Sequence, residues 1–409
     1  MLNPFGHGFC AGSFNRTGPE PGNRRAGKPW GCHSSGCGRA GAVAAIGTAR
    51  ASAQPRSRRV VRRATRGPHR AVVRRAPRGP PYNATMPAGP AALRRCGSPI
   101  TLPGMTYAVL FPGQGSQFVG MADGWASDPA GKAVLDEASD AMGRDVILGC
   151  RDEDALATTE FVQPALLACD VAAFEVMRVL TVGDPVGVAG HSLGEFAALV
   201  AAGAISLRDA LELVVIRGVA MQRAGEDQPG GMTALLGIGS AAAEQLCDQV
   251  RRDGVLVIAN ENSPVQVVAS GSIPAIERLE ALAAERKVRT VRLAVAGAFH
   301  SELMRPAVPA VSEALEAIGI QAPRTSIAAN VTGELVTDAD RLRDLVRMQL
   351  VSPVRWDTAI RSLTEAGATT FIEAGPGEVL TKLMKRIDGS VRAVAAGSPE
   401  EARIAVAGL

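Results

Sequence analysis

The stretch "VAGHSLGEFAAL" (188–199) confines the chain more than any other. A short apolar run enters it at Pro185–Ala189, and an alanine- and leucine-rich segment that reads as a helix leaves it. Between them Gly190 and Gly194 bracket Ser192 in the pattern G-x-S-x-G, whose glycines leave room for a strained strand-to-helix turn that exposes a serine hydroxyl. The bare pattern also arises by chance in glycine-rich loops, so the strand before it and the helix after it carry its weight.

Elements after Met105 fit such an elbow. A strand at Tyr107–Phe111 runs into the turn "PGQGSQ", and helical patterns follow around 130–142 and 163–180. After the elbow, "SLRDALELVVIRGVAMQRA" (206–224) opens with Ser206 and an acid three residues on, Asp209, close to a capping box. Strands alternating with helices argue an α/β fold with a mostly parallel sheet. Between about 231 and 296 the rhythm changes to β-α-β-β-α-β, the ferredoxin-like order, with "SAAAEQLCDQVRRDG" a helix closed by Gly254. The α/β rhythm then resumes. The expected organisation is a hydrolase-like large domain over 105–228 and 297–396, an inserted ferredoxin-like small domain at 229–296, and a tail at 397–409.

Charge separates this part from what precedes it. Of 44 Lys and Arg, 18 precede Met105, against one of 40 Asp and Glu, so the remainder is acidic by 13. Residues 1–104, Arg-rich with frequent Pro and Gly, read as a disordered extension that cannot bury enough surface to fold. A basic arm for nucleic acid or membrane, an organelle leader, and a start assigned ahead of Met105 are its three readings, the last preferred. No apolar run is long enough to span a bilayer, and an acidic folded part argues against nucleic acid there. The seven cysteines lack paired C-x-x-C spacing, which leaves neither a disulfide framework nor a metal site to expect.

A serine hydroxyl needs a base within hydrogen-bond reach. After Met105 the chain holds two histidines, His191 and His300. Neighbouring side chains on a tight elbow point apart, which disfavours His191. His300, in "VAGAFHSELM", is expected at a strand end, where an open α/β sheet forms its ligand crevice. The backbone N–H of Leu193, at the helix start, can donate to an oxyanion, and the Gly-rich turn "FPGQGSQ" (111–117) is the source for a second donor. That turn lacks the Lys-Ser/Thr of a P-loop.

Eight motifs in order, "FPGQGSQ", "QPALLA", "GHSLGE", "RGVAMQ", "ENSPVQVV", "GAFHS", "QLVSPVRW" and "EAGPGEVL", resemble those of malonyl-CoA:acyl carrier protein transacylases and the related acyltransferase domains of fatty acid and polyketide synthases. The resemblance covers about 106–396. It implies Ser192 as acylated nucleophile and His300 as base, the second imidazole nitrogen held by the main-chain carbonyl of Gln349. It implies an oxyanion hole from the backbone N–H groups of Leu193 and Gln114, Arg217 as the group that holds a malonyl carboxylate, and Gln163 as a pocket residue. Phe299 implies exclusion of methylmalonyl groups. Asn260 and Asn262 match a strand facing the cleft and the thioester arm, with turn-forming asparagines as the alternative.

The expected function is transfer of malonyl from malonyl-CoA to acyl carrier protein by a ping-pong route, in a cytoplasmic monomer with no metal or redox cofactor. A serine hydrolase with chain order Ser, acid, His, a binder acting through the basic arm, and a transferase of other acyl groups are the rivals.

Overall fold

A computed structural model describes residues 106–181 and 183–409; the Arg-rich extension, with its three readings and Cys10, Cys32, Cys37 and Cys96, lies outside the described residues. Ten strands among the described residues, in chain order, are β1 (Tyr107–Phe111), β2 (Gly187–Gly190), β3 (Gly230–Leu236), β4 (Leu256–Ser263), β5 (Gln266–Ser272), β6 (Arg289–Arg292), β7 (Ser326–Ala328), β8 (Leu335–Val336), β9 (Thr370–Ala374) and β10 (Arg392–Ala396).

Six of them form one sheet in the order β10-β9-β1-β2-β7-β8, parallel except for the β7–β8 pair. The four residues Ala108–Phe111 of β1 are apolar and buried, as expected of a central strand covered by helices on both faces. Phe111 pairs with Gly190, and the His191 N–H donates to the Phe111 carbonyl at 2.9 Å. The carboxyl ends of β1 and β2 therefore lie side by side, where an open α/β sheet leaves its crevice.

The other four strands make an antiparallel sheet in the order β4-β5-β3-β6, built wholly from residues between 230 and 292. Its side chains alternate with a period of two. Leu235, Leu256, Ile258, Val267 and Ala269 meet the helices Ser240–Val250 and Ile273–Glu285 in a separate core, whereas Met232, Ala234, Ala259 and Val268 join the main core. β4 bulges between Ile258 and Asn260, and there it bridges to Val354: Glu261 N–H donates to the Val354 carbonyl at 2.9 Å and Val354 N–H to the Ala259 carbonyl at 2.8 Å.

Two helices set the site. Thr159–Leu180 is buried along most of its length, and Leu207–Asp227 starts where the Ser206 hydroxyl accepts from Asp209 N–H at 3.1 Å. The buried face of the second helix runs through Ala210, Val214, Arg217, Met221 and Ala224, so an arginine occupies a core position in an apolar stripe. The helices close tightly at Gly218, where a Cβ would stand 2.9 Å from the Thr159 carbonyl oxygen.

Two local expectations are corrected. The helix from Ser240 ends at Val250 rather than at Gly254, in a turn where Arg252 takes φ +48°. Residues 293–299 form no strand, so His300 stands in a turn ahead of the 3-10 helix Glu302–Ala307, eight residues beyond the end of β6, and not at a strand end. The 397–409 tail carries the helix Pro399–Ala407, whose Ala402 and Ala405 pack into the main core.

Candidate active site

Ser192 follows β2 and precedes the helix Gly194–Ala201, with its backbone in the left-handed region at φ +53°. That conformation costs a non-glycine residue on the order of 1–3 kcal/mol and needs outside support. Asn330, past the end of β7, supplies part of it: its Oδ1 accepts from Ser192 N–H at 2.7 Å, and its Nδ2 donates to the Gly190 carbonyl at 2.7 Å. Gln349 supplies the rest, its Nε2 donating to the Ser192 carbonyl at 2.8 Å. Added Cβ atoms at Gly190 or Gly194 would run into the backbone of Gly194 or of Phe111, respectively, which fixes both glycines of the motif.

The Ser192 hydroxyl donates to His300 Nε2 at 2.8 Å. His300 Nδ1 faces two acceptors, the carbonyls of Gln349 at 2.9 Å and Ser352 at 3.1 Å. Nδ1 must then carry the proton, and Nε2 is left to accept, which is the tautomer a general base requires. Gln349 caps the helix Ala339–Met348 and opens a single 3-10 turn, where its carbonyl also accepts from Ser352 N–H at 3.3 Å. Burial, and next the Arg217 charge, push the imidazole pKa down to about 3, while the two carbonyls oppose. The resting base is neutral.

Arg217 is 1% exposed. Its Nη1 donates to Gln163 Oε1 at 2.6 Å; its Nη2 donates to Gln349 Oε1 at 3.0 Å and to Ser192 Oγ at 3.1 Å. Gln163 lies one turn beyond Thr159, the point of closest helix approach, which is why it reaches the guanidinium. Arg217 Nε has no acceptor among the described residues, and the guanidinium carbon lies 5.4 Å from the centre of the Phe196 ring. Burial lowers its pKa to about 10, with Glu195 opposing, so it stays charged. A cation thus touches the nucleophile and is satisfied only by neutral oxygens.

The loop after β1 crosses the elbow at Gly113, where a Cβ would strike the His191 carbonyl and stand 3.7 Å from the Leu193 nitrogen. Neither the Leu193 nor the Gln114 N–H donates to any group among the described residues. Two main-chain donors without acceptors, one on each side of this contact, suit an oxyanion.

His191 is placed elsewhere: its Nε2 donates to Asn262 Oδ1 at 2.9 Å, its ring packs 5.4 Å from that of Trp356, and burial lowers its pKa to about 4. Asn262 and Gln114 border one small cavity of about 20 Å³ beside His191. Asn260 and Asn262 lie on β4, which overturns the turn-forming alternative; the Asn260 amide is buried with neither polar atom bonded among the described residues. Phe299 is 7% exposed and packs in the main core next to the base.

Two residues that the sequence reading passed over complete the network. Glu195, in the first turn of the elbow helix, accepts from Asn330 N–H at 2.8 Å and from Gln349 Nε2 at 2.5 Å. Its signal was an acid in an otherwise apolar turn; Asn330 gave only an asparagine after a strand.

Residues 108–401 match the acyl transferase domain family. The malonyl CoA-acyl carrier protein transacylase of Bacillus subtilis is 39% identical over 304 residues, 73% of this chain and 96% of that protein. The chain belongs to the malonyl-CoA:acyl carrier protein transacylase family. It is an acyltransferase, and its fold is that of solved relatives. The transacylase of Xanthomonas oryzae superposes with a TM-score of 0.72 at 38% identity, over 75% of this chain and 98% of that one. A malonyl-transacylase solved in complex with its holo type II PKS acyl-carrier protein gives 0.72 at 35% identity, over 74% of this chain and all of that one. In this chain the elbow, the imidazole and the buried guanidinium converge on one hydroxyl, and no carboxylate reaches His300 Nδ1 among the described residues.

Proposed function

We propose that the chain moves a malonyl group from malonyl-CoA to the phosphopantetheine thiol of acyl carrier protein through a malonyl-Ser192 ester. The observation that carries this reading is the Ser192 hydroxyl itself, held between the neutral base His300 at 2.8 Å and the buried cation Arg217 at 3.1 Å. A malonyl thioester has an electrophilic carbonyl and a free carboxylate on one short chain. The two ends call for a nucleophile and a cation a few ångströms apart.

In the first half-reaction His300 Nε2 takes the serine proton while Oγ bonds to the thioester carbonyl carbon. The developing oxyanion faces the Leu193 and Gln114 N–H groups, the C–S bond breaks, and CoA leaves as the thiol with the proton from His300. Acyl carrier protein thiol then attacks the ester by the same steps in reverse. Arg217 holds the malonyl carboxylate through its two-nitrogen fork. Phe299, next to the base, narrows the space beside the acyl Cα; one methyl is worth only about 1–3 kcal/mol, so rejection of methylmalonyl is partial. Water is disfavoured as acceptor because the held carboxylate keeps the ester carbonyl in the donor pair.

We also read residues 229–296 as a ferredoxin-like domain inserted in a hydrolase-like one, supported by the β-α-β-β-α-β order and by flanking strands that join one sheet.

Intact-mass measurement after mixing with malonyl-CoA tests the reading. A malonyl adduct is expected on the wild type, absent in Ser192→Ala, and discharged by holo acyl carrier protein faster than by water. No adduct, or preferential release of malonate, would overturn it.

A further inference from the structure

Glu195 is 2% exposed and sits beyond Gln349 from Arg217. Arg217 Nη2 donates to Gln349 Oε1 at 3.0 Å, and Gln349 Nε2 donates to Glu195 Oε2 at 2.5 Å. One amide separates cation from anion, its orientation set by both. Glu195 Oε1 accepts from the Asn330 N–H at 2.8 Å, so each carboxylate oxygen faces an N–H donor and the ionised form is at home. The charge that acts on Glu195 is Arg217, from the helix Leu207–Asp227; Asn330 and Gln349, from the segments after β7 and Met348, are neutral. His300 is neutral as well. Without an acyl group the buried cluster therefore sums to zero.

A malonyl carboxylate on Arg217 leaves one uncompensated negative charge in that cluster. Buried like charges of this kind are relieved by protonating one of them. We propose that Glu195 is the counter-charge Arg217 keeps while the site is empty, and that it takes a proton from solvent when a malonyl carboxylate takes its place. Burial already pushes its pKa up to about 7, against the Asn330 and Gln349 hydrogen bonds and the Arg217 charge, so little more is needed. The inference rests on the reading that Ser192 carries malonyl. The transfer itself moves the serine proton to the CoA thiol and leaves none over; the proton on Glu195 is additional. Malonyl retention then weakens as pH rises above about 7, by up to about tenfold per unit, because the loaded state binds more protons than the empty one.

The test mixes weakly buffered enzyme near pH 8 with malonyl-CoA in the presence of a pH indicator, with adduct counted by intact mass in the same sample. Close to one proton is expected to disappear per malonyl adduct, and none with acetyl-CoA, which has no carboxylate. Glu195→Gln is expected to form the adduct without the uptake, and its malonyl-CoA/CoA loading ratio to lose the added pH dependence, the CoA thiol being common to both proteins. Adduct without uptake in the wild type, or equal uptake in Glu195→Gln, would overturn the role of Glu195 while the acylation reading stands. Absence of any malonyl adduct would instead overturn that reading. Should Glu195→Gln not fold, the comparison of malonyl- with acetyl-CoA on the wild type still decides.

Discussion

Ser192 and His300, whose side chains meet at 2.8 Å, both hold left-handed backbones, at φ +53° and +59°. Only two other non-glycine residues among those described do so, Arg252 and Lys287, each in a turn. Nucleophile and base are thus each set on a bend that L-residues avoid, and each bend aims its side chain at the other. What holds the bends is as much part of the site as the two side chains.

Asn330 is the first such support. Asn330→Ala removes the acceptor for Ser192 N–H and the donor to Gly190, both buried, and is expected to lower stability by about 1–3 kcal/mol. Malonyl-adduct formation is expected to slow at least about tenfold, since the elbow relaxes. Thermal unfolding with stopped-flow acylation checks both; a variant as stable and as fast as the wild type would show that the turn holds itself.

Gln349 acts through two different parts. Its carbonyl orients His300, while its side chain links Ser192, Arg217 and Glu195. Gln349→Ala keeps the first and removes the second, so acylation is expected to weaken without the collapse of about 10²–10⁴-fold that loss of the base, His300→Ala, brings. Equal rates in the two variants would mean that the carbonyl contact does not survive alone.

Arg217→Lys keeps a positive charge but loses the fork. Transfer from malonyl-CoA is expected to lose about 2–5 kcal/mol in kcat/KM, and acetyl transfer to gain relative to it. An unchanged ratio of the two kcat/KM values would remove Arg217 from substrate choice.

The pH profile follows from His300. An imidazole at its ordinary value near 6.5 would lose about tenfold in neutral base by about pH 5.5. Burial, then Arg217, holds this one down at about 3, so the neutral form persists as pH falls through that range. Acylation kcat/KM is therefore expected not to fall between about pH 7.5 and 5.5. A loss of activity on going below about pH 6.5 would contradict the buried, neutral base.

Much of the α/β frame was legible because its signals are local. The elbow needs two glycines and a serine in five residues, and the apolar stripe of the helix Leu207–Asp227 carries Arg217 at a position where its neighbours are core. The rest depends on partners far along the chain. Glu195 reads as an acid suited to a helix start, yet its hydrogen-bond donors, Asn330 and Gln349, are 135 and 154 residues away. The sequence places His300 at a strand end because its approach is apolar; that run instead packs under the helix end at Gly225, where a Cβ would stand 2.5 Å from the Ala296 carbonyl oxygen. Close packing without ladder hydrogen bonds leaves the same apolar signature as a strand.

The separation of the site's parts along the chain has a consequence for its synthesis. Ser192 leaves the ribosome 108 residues before His300 and 157 before Gln349. At about 5–20 residues per second, roughly 5–20 s pass in which the serine exists without its base. The nascent chain thus holds an inert alcohol on an unsupported turn. Chemistry begins only once most of the fold is made, which spares the cell a half-built acyl acceptor.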